Sequence, residues 1–79
     1  MRILFFAQLK EVTGCAEVSL ELAAPATAEA LWAALLQRFP GLGVHRPCIR
    51  LARNWEYTAA DALYGAGDEI ALIPPVSGG

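Results

Sequence analysis

Few side chains in this sequence are placed to do chemistry. His45 stands alone beside Arg46 and Pro47. With no second ligand in view, a solvated loop histidine is expected and no metal site. Cys15 and Cys48 make neither a C-x-x-C pair nor part of a ligand set, so two free thiols are expected rather than a disulfide or a sulfur relay. The chain offers no nucleophile–base triad, no paired catalytic carboxylates and no phosphate-cradling glycine loop. What remains is the end, Val76-Ser77-Gly78-Gly79, finishing in a carboxylate. Gly78 and Gly79 carry no side chain, so this tip is the thinnest backbone a chain can present. Fully extended, it reaches roughly 13 Å beyond the fold. Such an end is either an ordinary frayed terminus or an arm. Pro74 and Pro75, which lack donors and favour an extended exit, would serve the arm by aiming it.

The elements that must position this end read as follows. Gly67-Asp68 marks a turn, and Ile70 to Ile73 is an apolar run of strand length. Near the start, Ile3, Leu4, Phe5 and Phe6 are apolar at both parities, which suggests a central strand covered on both faces. Gln8 to Thr13 leads to Gly14, as a helical turn closed by glycine or as a loose loop. From Ala16 to Leu22 the pattern alternates strictly, with Val18, Leu20 and Leu22 on one face. That is a half-exposed strand. Ala23 to Ala26 is a connector.

Thr27 caps a helix expected from Ala28 to about Phe39, with Leu31, Leu35 and Phe39 stacked and Trp32 and Leu36 beside them. Pro40-Gly41 stops it. Leu42 to Pro47 reads as loop, and Cys48 to Arg53 as a strand with Ile49 and Leu51 inward and Arg50 and Arg53 more exposed. Asn54-Trp55 reads as a turn, Glu56 to Thr58 as a return strand, and Ala60 to Tyr64 as a single helical turn. Trp32 belongs to the expected core; Trp55, in a turn, is the more exposed. One helix covers only one face of such a sheet. Some of Leu4, Phe6, Ala71 and Ile73, or their opposite-parity neighbours, must therefore face outward as a docking surface beside the tail.

With 79 residues the chain is expected to be one domain, 1–79, with a flexible tail at 76–79. Its hydrophobic fraction of 56% exceeds the usual ~45–50%, more than so small a globule can hide. Exposed apolar patches of that kind meet protein partners. The net charge of −2, without long runs, argues against nucleic acid or an anionic membrane as ligand. No stretch approaches the ~20 apolar residues of a membrane span. The opening residues lack a signal-peptide pattern, so the expected compartment is the cytoplasm. Arg46, Arg50 and Arg53 form either a small basic patch or ordinary surface charge. Asp68 and Glu69 either stabilise their turn or meet a partner's cations.

The segments Leu4-Phe5-Phe6-Ala7-Gln8-Leu9-Lys10-Glu11 with Gly14, Ala30-Leu31 to Leu35, Leu51-Ala52-Arg53-Asn54, and Gly67 through Ile73-Pro74-Pro75-Val76-Ser77-Gly78-Gly79 carry a family resemblance. The sequence resembles the small, sulfur-carrier subunits of molybdopterin synthase, with Pro-Pro-Val-Ser-Gly-Gly as the specific part. The implied fold is α+β: a ubiquitin-like β-grasp with a mixed sheet of four to five strands and one main helix on one face. Arg53 and Ile73 depart from the family pattern, which tends to have an apolar residue at the first position and an aromatic at the second.

The resemblance implies the following chemistry. The Gly79 carboxylate attacks the α-phosphate of ATP on an activating enzyme, giving an acyl-adenylate. A sulfur-donor protein then displaces AMP to leave a thiocarboxylate. In the synthase complex that sulfur goes to cyclic pyranopterin monophosphate, and the chain alone is not an enzyme. Val76, Ser77, Gly78 and Gly79 insert into the partner, while Phe6, Lys10, Ile73, Pro74 and Pro75 dock on it. The implied partner is the large synthase subunit, in a heterotetramer. No permanently bound cofactor and no metal are implied; ATP is used by the activating enzyme. A thiamine-type sulfur carrier and a ubiquitin-like protein modifier are the alternatives.

Overall fold

The first and last apolar runs, rich in apolar side chains at both parities, lie side by side at the middle of one sheet. In the structure, a computed structural model describing residues 1–75, strand β1 (Arg2–Phe5) pairs in parallel with β7 (Glu69–Ile73), Phe5 opposite Leu72. On its other side β1 pairs antiparallel with β2 (Glu17–Ser19), and β7 pairs antiparallel with β4 (Arg50–Arg53), itself paired with β5 (Glu56–Tyr57). The order is β2-β1-β7-β4-β5. Helix α1 (Gln8–Thr13) follows β1, closed by Gly14 in the left-handed conformation (φ 78°). The helical turn is thus the form Gln8 to Thr13 takes, and glycine meets its φ without the cost of a Cβ.

The main helix, α2 (Ala28–Arg38), packs across the inner face of this sheet. The Thr27 side chain accepts a hydrogen bond from the Ala30 amide at 3.1 Å, a cap worth about 1 kcal/mol. Leu31, Trp32 and Leu35 are buried on it, against Ile3, Phe5, Ile70 and Leu72 from the sheet. Each such aliphatic or aromatic side chain contributes about 1.5–3 kcal/mol by leaving water. Phe39 caps the helix end and meets Phe5 edge-on, 5.5 Å between centroids. Along β2 the alternation survives in burial, with Leu20 buried and Glu17, Ser19 and Glu21 exposed, although the ladder covers three residues.

Six expectations need correction. Leu42 to Pro47 is not open loop: two 3₁₀ turns, Pro40–Val44 and Arg46–Cys48, fold Leu42 fully into the core. Cys48 accordingly lies before β4. Ala60 to Tyr64 does not form a helical turn. Leu63 and Tyr64 instead form β6 (Leu63–Tyr64), antiparallel to β3 (Ala26–Thr27), so the supposed connector is also paired. Two-residue strands lack the length for period 2 to show, and Tyr64 is fixed by tertiary contacts: it is buried, with its hydroxyl 2.7 Å from Thr58 Oγ1. Arg53 is not on the exposed parity. It shares the inward parity of Leu51 at the sheet end, half-buried, donating to the Leu63 carbonyl and lying over the Tyr64 ring. The expectation of cover on both faces of β1 also fails, because Leu4 and Phe6 are half-exposed.

Candidate functional site

β1 and β7 run in the same direction, so their C-terminal ends finish at one edge of the sheet. Phe6 comes one step past the last registered pair, beside Ile73, and both are half-exposed. Pro74 is half-buried and Pro75 exposed. The exposed Lys10 sits on α1, which leaves the sheet at this same end and is pinned by buried Leu9. The topology thus brings Phe6, Ile73, Pro74 and Pro75 to the point where the chain leaves β7, with Lys10 on the helix that starts at this end. Val76, Ser77, Gly78 and Gly79 lie outside the described residues.

The outer face continues from there. Register puts Leu4 opposite Ala71, Ala52 opposite Ala71 on the other side, and Tyr57 opposite Ala52. The two alanines are each 3% exposed, on the face of the sheet opposite the α2 core. Tyr57 is 59% exposed and Trp55 67%. Phe6 and Trp55 meet edge-on with centroids 6.2 Å apart. Phe6 follows β1 at the arm end and Trp55 follows β4 at the other end, where Asn54 bonds Glu69, so the two rings meet diagonally across β7. Arg50 lies over the Tyr57 ring, 4.5 Å from its centroid. Sequence reasoning named Phe6 and Ile73 but missed Tyr57, and left Trp55 without a role. The available signal was the alternation of Arg50, Ala52 and Tyr57 about a two-residue turn, which sets them on one face.

Charge gathers at the opposite end of the sheet. Arg2 pairs with Glu17 and, at 2.8 Å, with Glu69. Hydrogen bonding to Arg2 holds the Glu17 carboxyl below its usual range. The Asp68 carboxylate accepts from the Gly65 amide at 2.7 Å and from Asn54 Nδ2 at 3.2 Å. Chiefly through the Gly65 bond, its pKa is lowered. Asp68 and Glu69 therefore serve their own turn and strand. Arg46, Arg50 and Arg53 do not make one patch. Arg46 and Arg50 both line a cleft of about 420 Å³ beside the start of α2, but Arg46 pairs with Glu29 and lies 5.3 Å over Trp32, Arg50 stacks on Tyr57, and Arg53 turns to the β6 contact. His45 is half-buried; Cys15 is half-buried and Cys48 exposed, both as free thiols. Among the described residues no group of His, Cys, Asp and Glu could hold a metal ion, and no helix is long and apolar enough to cross a membrane.

A mixed five-stranded sheet wrapped on one main helix, with its central strand running out past the edge as Ile73-Pro74-Pro75, defines a ubiquitin-like β-grasp protein. Residues 3–79 match the ThiS family, and the chain belongs to that family. It is 38% identical over 79 residues to the molybdopterin synthase sulfur carrier subunit of Arabidopsis thaliana, covering 100% of this chain and 82% of that protein. Among solved structures it is similar to SAMP1 from Haloferax volcanii, with TM-score 0.84 and 35% identity, covering 100% of this chain and 98% of that one. It is also similar to a chain in the protein–protein complex of subunits 1 and 2 of the molybdopterin-converting factor from Helicobacter pylori, with TM-score 0.72 and 26% identity, covering 99% and 96% of the two chains.

Proposed function

We propose that this protein is the sulfur-carrier subunit of a molybdopterin synthase. The observation that carries this reading is the parallel β1–β7 pair, which sets an apolar face at the base of the C-terminal arm in a chain similar over its whole length to such subunits. In the proposed cycle the Gly79 carboxylate attacks the α-phosphate of ATP on an adenylating enzyme, and pyrophosphate leaves. Sulfide (HS−) delivered by a sulfur-donor protein then attacks the acyl carbon and AMP leaves, giving a thiocarboxylate. Its sulfur bonds to cyclic pyranopterin monophosphate, and water cleaves the acyl–sulfur bond to restore the Gly79 carboxylate. A carboxylate needs this activation because its oxygen is a poor leaving group. The chain itself supplies no acid, base or metal. Its contribution is presentation: Gly78 and Gly79 have no Cβ to obstruct entry into two different active sites.

The docking surface in this reading is Phe6, Ile73, Pro74 and Pro75, with Tyr57 from the edge strand β5 and Lys10 at the margin. The partner is a large subunit, as in the related complex of subunits 1 and 2, with residues 76–79 inserted into it. The reading puts the cycle in the cytoplasm, where ATP is available and thiols stay reduced.

Similarity to a small archaeal modifier protein, at TM-score 0.84, favours a second reading as a protein modifier. The intact mass of the protein from its native host separates the two. Replacement of one oxygen by sulfur supports the carrier; covalent adducts to other proteins would support the modifier.

A further inference from the structure

The β4–β5 hairpin turns on two residues, Asn54 and Trp55, both with positive φ, 51° and 71°. Two-residue hairpin loops of this hand need positive φ at both positions, and Asn-Gly meets the need with least strain. Asn54 suits its place. Its side-chain oxygen accepts from the Glu69 amide at 3.0 Å and its Nδ2 donates to Asp68 at 3.2 Å. Trp55 does not suit its place. A bulky residue at φ 71° is strained, and an indole 67% exposed recovers little by burial. Folding alone would favour glycine there. The fold instead holds its most solvent-exposed aromatic side chain at a strained position, braced edge-on by Phe6 across β7.

We propose that Trp55 is an anchor of the partner interface, and that the docking surface runs from Phe6 and Ile73 at the base of the arm, across β7, to the tip of this hairpin. The inference rests on the docking reading given under Proposed function and extends it to a residue that the arm and its base do not require. The occupant is the large-subunit partner, because the strip is continuous with the surface proposed to meet that protein. The partner's matching surface is an apolar recess for the indole with a carboxylate near its rim. Arg50 supplies the charge argument: it stacks on Tyr57, and among the described residues no carboxylate pairs with it. Aromatic side chains that enter such recesses carry a large share of binding energy. The Phe6 brace leaves less freedom to be lost on binding.

The test uses the full chain and the purified large subunit from the same source, with calorimetric titration, thermal melts and sedimentation run together. Trp55→Gly relieves the backbone strain, and Trp55→Asn keeps a residue that tolerates positive φ. Tyr57→Asp serves as a separate probe of the docking face. The expected result is that both Trp55 variants melt at or above the wild-type temperature and bind the large subunit about 10-fold or more weakly. Wild-type affinity in both Trp55 variants, with binding lost in Tyr57→Asp, overturns the role of Trp55 and leaves the docking reading standing. Wild-type affinity in Tyr57→Asp, or no binding by the wild-type chain, overturns the docking reading and this inference with it. Melting well below wild type in both Trp55 variants would make Trp55 a residue of the fold and overturn the proposal. So would loss of self-association with unchanged partner affinity, which would assign the strip to a second copy of this chain.

Discussion

The two faces of the sheet are built from the same strands, one residue out of step. On the inner face Ile3, Phe5, Ile70 and Leu72 close against Leu31, Trp32 and Leu35 of α2, and all are buried. On the outer face Leu4, Phe6 and Ile73 stand half-buried, and Trp55 and Tyr57 exposed, around two buried alanines. The inner side chains fill space and hold the fold. The outer ones leave apolar and aromatic surface uncovered, from which a fold gains nothing unless a partner covers it. Burial and exposure are thus separated by strand parity, and in the proposed function recognition falls to the exposed set.

Three substitutions sharpen or break that contrast. Leu31→Ala or Leu35→Ala, on the inner side, should destabilise by about 2–5 kcal/mol, read as a fall in denaturant midpoint at unchanged slope. Tyr57→Ala, on the outer side, should cost about 1 kcal/mol or less, most of it the contact with Arg50. Equal shifts from the two faces would dissolve the distinction.

A smaller effect belongs to neither face but to the turn that starts β7. Asp68 has a pKa below its ordinary value of 3.8, held there first by the Gly65 amide. A carboxylate whose folded pKa is depressed contributes stability above the unfolded value and loses it as pH falls through the folded one. Wild type should therefore be more stable than Asp68→Ala near neutrality. The difference in denaturant midpoint should shrink as pH falls below about 3.8. A gap independent of pH would mean that the Gly65 bond is not what holds the carboxyl ionised.

Long, strongly periodic segments were legible in the sequence. The α2 stripe, its Thr27 cap and the alternation of Val18, Leu20 and Leu22 carry their burial in their spacing, and the structure keeps all three. Leu42, Tyr64 and the β3–β6 pair were not legible. Each depends on one or two residues placed by long-range packing, where no period exists to be read. Arg53 was misplaced for a related reason: charge suggested solvent, while the ladder fixed its parity and the Leu63 carbonyl gave its guanidinium a partner. At the candidate site, surplus apolar residues at both parities called for an outward set but left its parity open; the register sets Leu4, Phe6 and Ile73 outward half-buried, with Ala71 buried among them. Tyr57 and Trp55 needed the hairpin register.

The central claim, that the chain is a carrier whose terminal carboxylate is activated, is tested most directly by ATP–pyrophosphate exchange with the cognate adenylating enzyme. The proteins to compare are wild type, a chain lacking Gly79, and one extended by a single alanine, with melts followed in parallel by circular dichroism. Both changes move the reacting carboxylate by roughly 3.4 Å, while misplacement near 1 Å already costs about 100-fold. The account predicts wild-type melting temperatures and exchange abolished or severely reduced in both variants. Exchange at the wild-type rate from the alanine-extended chain would contradict it.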